Sequence, residues 1–272
     1  SPARADFLAR YAAGQRINPR FEYRPAPDVD RLLDGAARAV PPDEPWRTLL
    51  TGEIEAARRA HAVLHTRSPA ELTGHSLAIY GEPRPDTLRR ARSYLERSAV
   101  PAGAPAHTLT AGGAVAILSA VLRRAGLADW SVTVPDHMVA RMSVRGGERQ
   151  ILVHPEATFT ATEMRRLIVH EIGTHVFRSV NAARQRIGLL AHGLTGYLTT
   201  EEGLAAWHEQ RAGLATADVR RRYALRYLAC HAALHGDFHS VVEDLVAHTT
   251  LDEAFQTAVR VKRGLVDTAV PG

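Results

Sequence analysis

The chain has 272 residues, of which 45% are hydrophobic and 23% are charged, a composition typical of a folded globular protein with one large or two small domains. This composition excludes a disordered chain, a collagen and a coiled coil. The longest nearly apolar run, residues 111–122, is too short to span a membrane. The formal net charge of +5 comes from scattered arginines without a long basic run, so nucleic-acid binding is not expected.

The first part of the chain is predicted to form helices, because apolar residues recur there at helical spacing. Proline-rich segments separate the predicted helices, and Ser68 with Glu71 has the spacing of a capping box. The predicted helices cover residues 28–40, 43–66, 68–80, 85–98 and 110–127.

The middle of the chain changes to alternating and β-branched residues, which predict short strands. The strands are expected at residues 130–135, 138–144 and 150–154, with a hairpin turn at Gly146 and Gly147 between the last two. This pattern predicts a small, mainly antiparallel sheet.

The remainder is helical again. Thr160 and Glu163 form a second capping-box pattern, which opens a helix that is predicted to run to about residue 180. The fold class is therefore α+β and helix-dominated. We expect a helical N-terminal subdomain at residues 1–105 and a second, functional domain at residues 106–272, with a single domain as the alternative. Further helices are predicted at residues 200–213, 217–235, 238–248 and 252–264.

The cysteine and histidine content restricts the possible metal sites. The single cysteine, Cys230, excludes an internal disulfide and any site built from several cysteines, so a metal site must use the 14 histidines with carboxylates. His231, His235 and His239 repeat every fourth residue, but Gly236 predicts a helix break after His235. A metal site on this second histidine series is therefore not favoured.

Residues 170–175, with the sequence HEIGTH, place two histidines and a glutamate on one predicted helix. In zinc hydrolases the two histidines hold the metal and the glutamate accepts a proton from water. The usual separation of the histidines is four residues, whereas here it is five, which sets them ~140° apart on a regular α-helix. A wide π-helical turn would realign them, and Gly173 lowers its cost. We therefore predict such a turn at residues 172–175, with two ordinary helix histidines as the alternative.

A third ligand is offered by Glu201 and Glu202 at the start of a later predicted helix. Two histidines and one glutamate, with an open fourth position, are a common ligand set of catalytic zinc. Acidic residues are also favoured in the first turn of any helix. The spacing alone does not decide between these readings.

Several segments resemble the microtubule-associated tyrosine carboxypeptidase family, whose bacterial members are called QEGLA-motif or domain-of-unknown-function 1704 proteins. The HExxxH motif followed by the EEGLA motif is the most specific part of this resemblance. It covers nearly the whole chain, through residues 18–23, 79–83, 170–175, 178–185, 200–205 and 260–264.

The resemblance implies one zinc ion held by His170, His175 and Glu202, with Glu171 as general base. Glu201 stands where the motif's name has a glutamine, and is expected to support or cap the site. The implied function is a zinc-dependent peptide hydrolase, a carboxypeptidase that removes a C-terminal residue, aromatic by family analogy. The alternatives are an endopeptidase or amidase that matures a peptide precursor, and a non-catalytic metal-binding regulatory protein.

A carboxypeptidase must also hold the terminal carboxylate of its substrate, which arginine binds bidentately. Each of the candidates for substrate binding is equally compatible with an ordinary surface residue. The candidates for holding the substrate are Arg178, Asn181, Arg184, Arg260 and Arg263. The candidates for donating to the oxyanion are Tyr197, Tyr223 and Tyr227.

The expected partner is the C-terminus of a peptide or protein, without nucleic acid or membrane, and the sequence does not determine the oligomeric state. Eukaryotic members recognise tubulin tails, but the presence of one lysine among 34 basic residues is typical of a high-GC bacterium, which lacks tubulin. We expect a cytoplasmic location, although Ser1 in place of methionine leaves open a removed signal peptide. Family members commonly continue with a further helix after residues 260–264, whereas this chain ends at Gly272.

Overall fold

The computed structural model describes residues 2–98, 109–138 and 140–272. It is 61% helical with a small three-stranded sheet, in agreement with the predicted α+β class. Among the described residues, no helix is both long enough and apolar enough to cross a membrane.

The chain divides into two compact units, Ser1–Pro101 together with Ala217–Gly272, and Ala102–Thr216. The predicted domain boundary at residue 105 lies outside the described residues. The division of the chain into an N-terminal subdomain and a functional domain stays a prediction.

The first unit begins with helices at the predicted places and with one that was not predicted, α1. The hydroxyl of Ser68 accepts a hydrogen bond from the backbone N–H of Glu71, which confirms half of the expected capping box. The helices are α1 (Pro2–Ala12), α2 (Asp30–Arg38), α3 (Trp46–His65), α4 (Pro69–Tyr80) and α5 (Pro85–Arg97).

The second unit contains the sheet and the helices that carry the HEIGTH and EEGLA motifs. Both hydrogen bonds of the capping box at Thr160 and Glu163 are present, so α7 begins as predicted. The elements are α6 (Ala111–Arg124), β1 (Ser131–Thr133), β2 (Met142–Arg145), β3 (Gln150–Val153), α7 (Ala161–Leu167), a π-helical segment (Ile168–Val176), α8 (Phe177–Ala183), a 3₁₀ turn (Gly188–Ala191) and α9 (Tyr197–Arg211).

The sheet is mixed rather than mainly antiparallel. Strand β3 lies in the middle, and it pairs antiparallel with β2 through the predicted hairpin but parallel with β1. The hairpin fixes the direction of β2 locally. The pairing of β1 depends instead on whether it joins β2 or the free edge of β3, and residue alternation carries no information about that.

The core of the second unit lies against the π-helical segment. Leu118 of α6 and Ile151 of β3 are fully buried, and they belong to one cluster with Ile172 and Val176 of the segment. The segment is therefore anchored by its apolar side chains, which leaves its polar residues to face α9.

The hairpin turn packs tightly on α8. A Cβ atom at Gly146 would overlap the hydroxyl oxygen of the buried Ser179. We expect Gly146→Ala to lower the free energy of unfolding by about 1–3 kcal/mol, because one side must shift to relieve the overlap. Urea denaturation measures this. Gly147→Ala is the matched control, since its Cβ would meet its nearest neighbour at 3.8 Å. Equal losses in the two variants would contradict the prediction.

The last three helices belong to the first unit. These are α10 (Ala217–His235), α11 (Phe238–Val246) and α12 (Leu251–Val261). The ring of Phe7 in α1 lies 5.2 Å from that of Phe238 and 5.0 Å from that of Phe255, centroid to centroid. The two ends of the chain thus share one apolar core.

Candidate active site

The π-helical segment Ile168–Val176 carries both motif histidines and the glutamate between them. At its end, the backbone N–H of Phe177 donates to the carbonyl oxygen of Ile172, five residues earlier. Five-residue bonding brings residues five apart onto one face, and the rings of His170 and His175 accordingly lie 5.1 Å apart, centroid to centroid. The predicted wide turn is confirmed, and it extends over nine residues rather than the four expected.

Glu202 of α9 completes a group of three side chains that can hold a metal ion. One nitrogen of each histidine and a carboxylate oxygen of Glu202 all lie within 4.8 Å of one another. Glu202 is 3.6 Å from Nε2 of His170 and 3.8 Å from Nε2 of His175. Donors about 2.0–2.2 Å from a tetrahedral ion lie about 3.3–3.6 Å apart, so small rotations suffice to bind one ion.

Two further carboxylates orient the imidazole rings. Oε1 of Glu209 lies 2.7 Å from Nδ1 of His170, and Oε1 of Glu201 lies 3.1 Å from Nδ1 of His175. A carboxylate at Nδ1 keeps the proton on that nitrogen and leaves the lone pair of Nε2 for a metal. A supporting position is predicted for Glu201 from the sequence, whereas Glu209 was not predicted. The available signal was its position seven residues after Glu202, two turns along the same helix face.

Each supporting carboxylate is in turn held by an arginine. Nη1 of Arg166 lies 2.7 Å from Oε1 of Glu209, and Nε of Arg178 lies 2.7 Å from Oε1 of Glu201. Burial alone raises the pKa of the Glu209 carboxyl, but the hydrogen bond with His170 and the charge of Arg166 hold it below its usual value. Burial also raises the pKa of the Glu201 carboxyl, but hydrogen bonds with His175 and Arg178 hold it below its usual value, so both carboxylates stay ionised.

The candidate ligand His170 and the candidate base Glu171 have shifted pKa values. Burial by itself lowers the pKa of His170, but hydrogen bonds with Glu202 and Glu209 outweigh it and raise the pKa to about 9. The buried Glu171 carboxyl has a raised pKa, chiefly because burial disfavours its charged form. A carboxyl with a raised pKa is suited to accept and return a proton near neutral pH.

The family model for microtubule-associated tyrosine carboxypeptidase matches residues 5–271. The chain belongs to this family. Among curated relatives, microtubule-associated tyrosine carboxypeptidase 1 of Mus musculus is 38% identical over 112 residues, that of Homo sapiens 38% over 111, and that of Rattus norvegicus 36% over 111. Each alignment covers 39% of this chain and 23% of the relative. The chain therefore matches about a quarter of the length of these relatives.

Three of the predicted substrate-binding residues of this chain line one pocket. Arg178, Asn181 and Tyr197 line a cavity of about 560 Å³, and Arg184 is not among its lining residues. Arg260 and Arg263 belong to the other compact unit. The side chains that could hold a metal ion, His170, His175 and Glu202, are not among its lining residues. The substrate-binding roles stay predictions. The apolar part of the wall comes from Phe177, Leu190, Leu194 and Leu204.

The second histidine series does not form one helix face. Helix α10 ends at His235 and α11 begins at Phe238, so the predicted break is confirmed. The rings of His231 and His235 lie 4.8 Å apart, whereas His239 pairs with Glu243 at 3.3 Å. His239 therefore has surroundings separate from those of His231 and His235.

Asp28, Asp30 and His61 form another group whose donor atoms lie close enough for a metal ion. Nδ1 of His61 lies 3.1 Å from Oδ1 of Asp30, and its Nε2 accepts a hydrogen bond from the Val29 backbone N–H at 3.5 Å. Both ring nitrogens thus have partners within the protein, and both aspartates are exposed. An ordinary ion pair accounts for this group.

Proposed function

We propose that this chain is a zinc-dependent peptidase that removes the C-terminal residue of a peptide or protein. The observation that carries the proposal is the convergence of His170, His175 and Glu202 on one point, with Glu171 on the same π-helical segment as the histidines. Family membership supports it, since the named relatives are called tyrosine carboxypeptidases.

The donor set is one that catalytic zinc commonly uses. Two imidazole nitrogens and one carboxylate, with a further position open to water, are a common ligand set of catalytic zinc. The Glu202 side chain is 59% exposed, so solvent can reach this carboxylate. When bound, zinc supplies Lewis acidity, which lowers the pKa of a coordinated water and polarises the scissile carbonyl.

The protein's own residues handle orientation and protons. Glu209 and Glu201 fix the two imidazole rings so that their Nε2 atoms point to Glu202. The carboxylate of Glu171 accepts the proton of the attacking water and passes it to the leaving amine. Burial makes this carboxylate a stronger base than an exposed one, because it raises the pKa of Glu171.

The proposed substrate is a chain end with a free carboxylate and, in keeping with the family's name, a C-terminal tyrosine. Arg184 and Asn181 remain candidates for holding the carboxylate, and the roles of Arg260 and Arg263 stay predictions. Arg178 is less suited to that role, since its guanidinium already contacts Glu201 and two backbone carbonyls.

The test uses peptides that differ only in their C-terminus. Peptides ending in tyrosine, with either a free or an amidated end, are incubated with the zinc-loaded protein and analysed by mass spectrometry. We expect loss of the single C-terminal residue from free-ended peptides only. Internal cleavage of both kinds would favour an endopeptidase or amidase that matures a precursor, and zinc binding without any cleavage would favour a regulatory role.

Glu209 provides a test of the metal site itself. Replacing it with glutamine keeps its size but removes the negative charge beside Nδ1 of His170. We expect Glu209→Gln to weaken zinc binding by about 10–100-fold, the usual effect of losing a group that orients a ligand. Competition with a chromophoric chelator measures the affinity. Glu202→Gln serves as the comparison, and an equal or smaller loss there would contradict the assignment of Glu202 as a direct ligand.

A further inference from the structure

Arg178 lies about one helical turn beyond His175 and contacts the carboxylate that orients it. Its Nε donates to Oε1 of Glu201 at 2.7 Å. The same oxygen lies 3.1 Å from Nδ1 of His175. A single carboxylate oxygen therefore joins the Arg178 guanidinium to the imidazole ring.

The same guanidinium also holds a neighbouring part of the chain, residues 188–197, which we call the wall segment. Nη1 of Arg178 donates to the carbonyl oxygens of Leu190 and Ala191 at 3.4 and 3.2 Å. Its central carbon lies 5.3 Å from the centroid of the Tyr197 ring, a cation–π contact. The wall segment supplies Leu190 and Tyr197 to the 560 Å³ pocket, so Arg178 connects the pocket's wall to the metal-binding group.

Gly193 fixes the shape of the wall segment. Its φ is +85°, a conformation that favours glycine, and a Cβ atom there would lie 2.6 Å from the Tyr197 ring. The Tyr197 ring thus packs directly on the Gly193 backbone. A change at Gly193 displaces the ring that Arg178 contacts without touching any metal-binding side chain.

Arg166 offers an internal comparison. Its Nη1 lies 2.7 Å from Oε1 of Glu209, and that oxygen lies 2.7 Å from Nδ1 of His170. The arrangement around the first histidine therefore repeats that around the second. Among the described residues, however, Arg166 makes no hydrogen bond to the wall segment.

We propose that Arg178 is a positioning residue that couples the wall segment to the metal ligand His175. If the wall segment shifts, Arg178 follows its carbonyl and ring partners and draws Glu201 away from Nδ1 of His175. The imidazole then loses the contact that sets its orientation, and metal binding weakens. The inference rests on the proposed function, because it concerns the regulation of the same zinc site. It implies that the conformation of the wall segment affects how tightly that site binds zinc.

A double-mutant cycle tests the coupling. Gly193→Ala perturbs the wall segment. Arg178→Lys keeps the positive charge but loses the planar fork that reaches Glu201 and the carbonyls together. Arg166→Lys is the matched control. We expect Gly193→Ala to weaken zinc binding about 10-fold in the wild-type and Arg166→Lys backgrounds. In the Arg178→Lys background it should cause no further change. Zinc affinity is measured by competition with a chromophoric chelator.

The visible absorption of the cobalt-substituted protein supplies a second readout, because its bands report the geometry around the ion. We expect Gly193→Ala to shift these bands unless Arg178 is replaced. Tyr197→Leu and Tyr197→Phe form a further pair, in which only the leucine variant loses the ring that Arg178 contacts and should lose affinity. This pair tests the proposal even if Gly193→Ala fails to fold.

Two outcomes would overturn the inference. One is an equal effect of the wall-segment variants in all three backgrounds, and the other is no effect of these variants on affinity or on the cobalt bands. A wild-type protein that binds no zinc would overturn the proposed function itself. Zinc binding without coupling overturns only the role of Arg178.

Discussion

Glu171→Gln is expected to lower kcat/KM for a peptide with a C-terminal tyrosine by about 10²–10⁴-fold, while zinc stays bound. Glutamine has nearly the same size as glutamate but cannot accept a proton from water. Glu171 is buried at 9% exposure and is not part of the ligand group, so the loss should fall on the reaction rather than on the metal. Steady-state kinetics with metal analysis of the same sample measure both quantities.

Glu148→Gln is the matched control for this change, because Glu148 lies on the same unit with an exposed side chain that pairs only with Arg145 in the described structure. Its activity should equal that of the wild type. Retention of more than a tenth of the activity in Glu171→Gln would show that another group carries the proton. Loss of zinc from that variant would show that Glu171 is a ligand.

Lys262→Met is expected to lower the free energy of unfolding by about 2–4 kcal/mol. Lys262 is fully buried, and its Nζ donates to the carbonyl oxygens of Ala233, Gly236 and Val270 at 2.9, 2.6 and 2.9 Å. Burial lowers its pKa to about 8, so at pH 7 the ammonium form with three donors still dominates. Methionine fills the space but leaves buried carbonyls without this donor.

Urea denaturation followed by circular dichroism measures the change, with Arg263→Met as the control. Arg263 is the exposed neighbour of Lys262, and its replacement should alter stability by less than about 0.5 kcal/mol. A loss below about 1 kcal/mol in Lys262→Met would mean that water or a shifted backbone satisfies the carbonyls.

Local patterns predicted those features that neighbouring residues determine. The capping box at Thr160 and Glu163 joins atoms three residues apart, and the break between His235 and Phe238 follows from adjacent glycine and aspartate. The five-residue histidine spacing required a wide turn to bind one ion, and the π-helical segment provides it. That segment spans nine residues, which is longer than the predicted turn at residues 172–175.

Features that depend on distant partners were not predictable in this way. Glu209 and Arg166 are 43 residues apart, and Phe7 and Phe255 meet from opposite ends of the chain. The parallel pairing of β1 with β3 also depends on which sheet edge is free. Periodicity reports which face of an element is buried, but not which other element covers it.

By itself, the sequence determined the α+β class, the family, the π-helical turn and the group His170, Glu171, His175 and Glu202 as candidates for metal chemistry. The tertiary structure alone decided that Glu209 and Arg166 support the first histidine and that Arg178 joins the second to the wall segment. The physical reason is that a motif fixes side-chain direction within a helix, whereas the contacts that orient those side chains come from α9, which only folding brings alongside.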